Sequence, residues 1–174
     1  MGAAFTAEIR GLKQVTRRLR KLPGKLQRRV LRSAVQKGGT VVKKAAKKLV
    51  PVGEGTTSDG RPREHLKNTI ERTRAKWYPK TGTMLVVVGP EKNKGFHAHL
   101  VHDGTKPHQI VLTKPLVLNN VVLPPGFVIN HPGAKAQPFV DRAVRATRGT
   151  VIKKLSDSIA KGIEKEVNKL RGKA

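Results

Sequence analysis

The stretch from His131 to Leu170, HPGAKAQPFVDRAVRATRGTVIKKLSDSIAKGIEKEVNKL, constrains the fold more than any other. Pro132 and Gly133 mark a turn. Pro138 suits the first position of a helix, where its missing N–H costs nothing. Asp141 falls in the first turns, where a carboxylate meets the positive end of the helix dipole. Val140, Val144, Thr147, Val151, Leu155, Ile159, Ile163 and Val167 then recur at spacings of three and four. This is a continuous apolar stripe on one long α-helix, with Lys and Arg on the opposite face. Such a stripe must cover apolar surface elsewhere, and the β-rich middle of the chain is the expected partner.

The remainder of the chain supplies the other elements. Phe5–Ile9 alternates as a short strand, Gly11 breaks it, and Leu12, Val15, Leu19 and Leu22 space a short helix ended by Pro23 and Gly24. A second helix is predicted from about Lys25 to Val50, with Leu26, Val30, Ala34, Val41, Ala45 and Leu49 near one face and Pro51 as its stop. Gly38 and Gly39 weaken its middle by about 1 kcal/mol each relative to Ala; they allow a kink or a close helix crossing. Residues 52–64 are rich in Gly, Ser and Pro and read as a mobile loop. The run 65–78 suits a strand with a short helical lead-in. After the turn Pro79–Gly82, Met84–Val88 reads as a buried strand that pairs with it in a hairpin. Phe96–Val101 gives one or two helical turns with an exit at Gly104. Ile110–Leu112, Leu116–Leu118, Val121–Leu123 and Phe127–Ile129 are four short β-prone runs. Asn119-Asn120 fits a two-residue hairpin turn between the middle pair. Pro107, Pro115, Pro124 and Pro125 favour edge strands or a projecting β-arm over residues 106–130. With 174 residues and no internal repeat, a single domain spanning 1–174 is expected.

Charge narrows the partners. Thirty-seven Lys and Arg against 11 Asp and Glu give a formal net charge of +26, which suits contact with DNA, RNA or an acidic protein ring. The cations spread along at least three helices, the pattern of a sticky surface rather than a reader of base sequence. Aromatic residues are too few for a base-stacking platform, with one Trp, one Tyr and four Phe. Without cysteine there is no disulfide or thiolate metal site. MGAAFTAEIRG carries no apolar signal core, and no apolar run approaches the roughly 20 residues that cross a bilayer. A soluble, intracellularly made protein with no membrane contact is expected.

Candidate reactive sites do not assemble. His97, His99, His102 and His108 cluster in sequence, with Asp103 as the nearby carboxylate, but helical spacing points His97 and His99 to different sides and no metal site is expected. The acids form no general acid–base pair, and Ser33, Ser58, Ser156 and Ser158 lie in no nucleophile-elbow pattern. Gly53-Glu54-Gly55 is not followed by the Lys-Ser/Thr of a phosphate cradle. Neither an enzyme nor a cofactor is expected.

Four blocks carry a family resemblance. They are Gly11-Leu12 with the Leu-spaced helix; Leu49-Val50-Pro51-Val52 followed after a loop by Leu66-Lys67-Asn68-Thr69-Ile70; Leu100-Val101-His102-Asp103-Gly104-Thr105; and Gly133-Ala134-Lys135-Ala136-Gln137-Pro138-Phe139-Val140. In this order they resemble the tail-component proteins of long-tailed bacteriophages, the head–tail joining or tail-completion family of siphophages. The loop 53–64 is longer than the family's and lacks its compact Thr-Gly, and His102 stands where an acid is usual, with Asp103 one place later.

The resemblance implies a non-enzymatic virion protein, assembled in the host cytoplasm, that forms a ring of six at the neck. That ring would complete or terminate the tail between the connector or stopper and the tail tube, and let DNA pass. The expected fold is α+β: an antiparallel β-sheet packed by a long N-terminal helix and a long C-terminal helix, with a projecting β-arm. The loop 52–64 and the arm 106–130 are the segments expected to lap onto a neighbouring subunit. The expected interface residues are Gly104, Thr105, Ile110, Leu112, Leu116, Leu118, Val121, Leu123, Phe127, Pro138 and Phe139. Basic residues would meet acidic faces of adjacent rings or the DNA in the channel. A basic nucleic-acid-binding protein is the alternative reading.

Overall fold

Helix α1 spans Gly24–Leu49. It begins at Pro23, whose carbonyl accepts the Gln27 N–H at 3.0 Å. It ends where Pro51 forces extended geometry on the residue before it, Val50 at φ −67°, ψ 132°. Helix α4, Phe139–Arg171, carries Asp141 in its first turn and Lys169 and Arg171 in its last, each charge matched to the nearer end of the dipole. Between them lie α2 (Leu66–Thr69), β1 (Ile70–Arg72), β2 (Lys76–Tyr78), β3 (Thr83–Leu85), β4 (Val88–Pro90), α3 (Ala98–Asp103), β5 (His108–Val111), β6 (Leu116–Leu118), β7 (Val121–Leu123) and β8 (Val128–His131). The structure, a computed structural model, describes residues 17, 19, 23–52, 65–118 and 121–172. The strand expected at Phe5–Ile9, most of the Leu12–Leu22 helix, the loop expected at 53–64 and the Asn119-Asn120 turn lie outside the described residues.

The α+β class is as the sequence indicates, two long helices with small antiparallel sheets, but the partner of the C-terminal stripe differs. Val151, Leu155 and Ile159 pack with Val30, Ala34 and Leu19, and Leu31, Val35, Val41, Val42 and Ile163 fill the margins. The stripe lies on α1, not on the β-rich middle. Glycine is the reason. A Cβ on Gly38 would sit 3.3 Å from Val151 Cγ1, and one on Gly162 would sit 2.8 Å from Val30 Cγ1. At both points a bare backbone lets the branched side chain of the other helix approach. The two contacts run in opposite directions along the chain, so α1 and α4 are antiparallel. Each fully buried aliphatic side chain in this seam contributes about 1.5–3 kcal/mol of transfer free energy.

Gly39, one residue on, faces elsewhere. A Cβ there would lie 2.6 Å from Val86 Cγ1. It seats the β-hairpin on α1, so the glycine pair serves close crossings on two sides. The hairpin consists of β1 paired with β4 (Ile70↔Pro90, Arg72↔Val88) and β2 paired with β3 (Lys76↔Leu85, Tyr78↔Thr83), all antiparallel. The irregular stretch between them is held by Thr73 N–H donating to the Val87 carbonyl at 2.8 Å and Val87 N–H donating to Thr73 Oγ1 at 3.0 Å. At its root, Arg72 Nε donates to Thr40 Oγ1 at 2.9 Å, and Glu71 accepts from Lys43 Nζ at 2.6 Å. The predicted buried strand Met84–Val88 is half-buried except at Val88, because a two-stranded hairpin is covered on one side and meets water on the other.

The chain divides into two compact units, residues 1–96 with 139–174, and residues 97–138. The first holds both long helices and the hairpin; the second holds α3 and strands β5–β8.

Candidate functional site

The second unit is built from turn chemistry. Helix α3 ends at Gly104, whose φ of 75° is open to glycine. The next residue, Thr105, exchanges two backbone hydrogen bonds with Ala134, at 2.9 and 3.0 Å. Both flanking glycines are required here. A Cβ on Gly104 would lie 2.5 Å from the Ala134 carbonyl oxygen, and one on Gly133 (φ 83°) would run into the Thr105 carbonyl. Gln137 N–H donates to the Val101 carbonyl at 3.0 Å. Thus the segments Val101–Thr105 and Gly133–Gln137, distant in sequence, meet as the base of one structure.

From that base a two-stranded antiparallel ribbon extends. β5 pairs with β8, His108↔His131 through Val111↔Val128. Leu112 N–H donating to the Phe127 carbonyl at 2.9 Å continues the ladder. After a bend, β6 pairs with β7, Leu116↔Leu123 through Leu118↔Val121. That register leaves only residues 119–120 between the strands, the length the sequence indicates.

Beyond the polar pairs His108↔His131 and Gln109↔Asn130 the ribbon is apolar on both faces. Cross-strand partners share a face, so Leu116 and Leu123 lie on one side of β6–β7, and Val117 and Val122 lie on the other. Val117 is 65% exposed, Val122 64% and Val121 58%. Among the described residues, eight of the 13 exposed large hydrophobics fall between Ile110 and Val128. A lone two-stranded ribbon is marginal in water, and its outer edges leave backbone groups open to pairing. From Gly104 to Val140 the sequence has no Asp or Glu and carries Lys106, Lys114 and Lys135. This surface suits an apolar partner, not a cationic one.

Of the expected interface residues, Ile110, Leu116, Val121 and Phe127 are exposed and Leu112 and Leu123 half-buried, all on the ribbon. Leu118 is in β6. Gly104 and Thr105 form the base, and Pro138 is half-buried where the unit ends. Phe139 is different: at the head of α4 it is 0% exposed, filling the chain's own core and offering no surface to a neighbour. Val111, Val117, Val122 and Val128 are exposed ribbon residues that run-by-run reading passed over; their signal is strict alternation with the named positions.

The histidines rearrange by strand register. His108 stacks on His131, rings 4.9 Å apart and tilted by 33°. His108 Nδ1–H donates to the Lys106 carbonyl at 2.9 Å, while Gly133 N–H donates to His131 Nδ1 at 3.0 Å. These partners assign opposite tautomers to the two rings. His102 Nδ1 lies 2.7 Å from Asp103 Oδ1. Among the described residues no group of three or more His, Asp or Glu side chains converges as a ligand set, and no helix is long and apolar enough to cross a membrane.

Apart from Asp103, the carboxylates of the described residues lie on the first unit. Glu166 is buried between Arg29 at 3.5 Å and Lys169 at 3.7 Å. Glu71 holds Lys43 and Lys47, and the hydrogen bond from Lys43 lowers its pKa below the ordinary 4.5.

No curated protein and no solved structure matches the chain. Residues 13–104 match the family described as "Bacteriophage HK97-gp10, putative tail-component". The matched segment covers more than half of the chain, through α1, the hairpin and the Gly104 exit of α3. The chain belongs to the HK97-gp10-like family of bacteriophage tail components.

Proposed function

We propose that this tail component works at the head–tail junction, as one subunit of a closed ring that completes the tail and lets DNA through its centre. The ribbon of residues 106–130 supports this reading most directly. Two apolar faces and two open edges need cover on more than one side, and a sibling subunit in a cyclic array supplies it. In such an array each ribbon lies on the next subunit head to tail, and closure leaves none uncovered. Six copies is the number the family resemblance implies. Native mass spectrometry of the full chain, with and without tail-tube and connector proteins, tests the proposal. A discrete closed oligomer, six copies, is expected; a chain that stays monomeric with those partners present contradicts it.

A further inference from the structure

The β2–β3 hairpin carries chemistry that subunit assembly leaves unused. Its inner side is apolar: Ala75 is buried and Trp77 half-buried, with Met84 as the cross-strand partner of Trp77. Lys76 and Tyr78 share the outer side, flanked by exposed Arg74 and Lys80. Lys76 Nζ sits 5.4 Å from the Tyr78 ring centroid, a cation–π contact that holds both in place. From Arg72 to Pro90 the sequence has no Asp or Glu. The outer side therefore offers a guanidinium, two ammonium groups and a phenol, beside half-buried Leu85, the cross-strand partner of Lys76, and no carboxylate to neutralise them.

We propose that this face is a contact site for the phosphate backbone of duplex DNA. The donors match phosphodiester oxygens, which accept from Arg, Lys and Tyr alike. A two-stranded ribbon fits the major groove of B-form DNA, whereas that of duplex RNA is too narrow to enter. Trp77 is turned inward, away from base stacking, which leaves the cationic and hydroxyl donors of the outer side for the backbone. An acidic protein is the competing partner, and the polyglutamate competition separates the two. The hairpin is held firmly for the task, with Val86 seated over Gly39 and Arg72 bonded to Thr40.

The test measures binding of the full chain to a short duplex DNA across a salt series. The variant Arg74→Gln/Lys76→Gln/Lys80→Gln is compared with a control of equal charge change on exposed α4 positions, Lys153→Gln/Lys161→Gln/Lys165→Gln. At about 0.9 per phosphate contact, the hairpin variant is expected to flatten the log–log salt slope by about 2.7, and the control by less than 1. Thermal melting equal to that of the parent confirms that both are folded; should the triple variant melt lower, Lys80→Gln in the exposed turn is used alone, with an expected loss of about 0.9. Polyglutamate of matched charge is expected to compete poorly. A control that flattens the slope as much as the hairpin variant, tighter binding to duplex RNA, or polyglutamate competing as well as DNA would each overturn the assignment. None of these readouts depends on ring formation.

Discussion

Replacing Val117 and Val122 with aspartate should dissolve subunit assembly while leaving the subunit folded. The two side chains face the same side of β6–β7 and are 65% and 64% exposed. Full burial of a valine is worth about 1.5–3 kcal/mol, so covering what is exposed here contributes roughly 2–4 kcal/mol for the pair. At about 1.4 kcal/mol per decade, losing it weakens each subunit contact roughly 30- to 700-fold. The carboxylates add a desolvation cost, so this is a lower bound. The helical seam between α1 and α4 involves neither residue, and exposed substitutions ordinarily change stability by within about 0.5 kcal/mol. Sedimentation velocity reads assembly and circular dichroism reads folding on the same sample. A variant that assembles like the parent would refute the assignment of the ribbon. A variant that unfolds would show the ribbon to be a structural part of the single subunit.

Glycine substitutions should separate crossing points from open helix. Gly149→Ala, with nothing within 4 Å of its Cβ position, should raise stability by about 0.5–1 kcal/mol through helix propensity. Gly162→Ala meets Val30 and should lose that gain, ending neutral to about 2 kcal/mol worse in chemical denaturation. Gly133→Ala must adopt a positive φ and strike the Thr105 carbonyl, so it should cost about 1–3 kcal/mol from the backbone alone and release the base of the ribbon, read by faster amide exchange at Thr105 and Ala134. Glu71, with its pKa depressed by Lys43, should contribute stability that is complete above its unfolded value and lost as pH falls through the lower folded one. The side chain is 51% exposed, so the contribution is below about 1 kcal/mol. Glu71→Gln should flatten the acid limb of a stability–pH curve by that amount.

Periodicity made the elements legible. The stripe from Val140 to Val167 gives α4 directly, and Pro51 and Gly104 stop α1 and α3 where the sequence indicates. The four short β runs fall within one or two residues of β5–β8, since proline and glycine punctuate each one. Pairing was harder to read. A stripe records that a face is covered, not what covers it, and the deciding residues, Gly38 and Gly162, make their contribution by having no side chain. The same holds at the ribbon's base: Gly104 and Gly133 stand out as turn formers, but only tertiary structure brings Gly104 against the Ala134 carbonyl and Gly133 against that of Thr105. The His108–His131 contact was not legible either, because it depends on the β5–β8 register and not on spacing in the sequence. The ribbon's second apolar face was visible as alternation and needed the register to become a surface. The outer side of the hairpin was hidden for the opposite reason: Arg74, Lys76 and Lys80 are ordinary in a chain with 37 cations until the strand pairing sets Lys76 against Tyr78 with exposed Arg74 and Lys80 on either side in sequence.

Thiol labelling of Val117→Cys tests the burial of the ribbon between copies most directly, since the parent chain has no cysteine of its own. The isolated subunit should react at the rate of an exposed thiol, and the same residue in the assembled particle should be protected by at least an order of magnitude. Equal reactivity in both states would mean that no neighbour covers the ribbon and that the ring is held, if at all, by another surface.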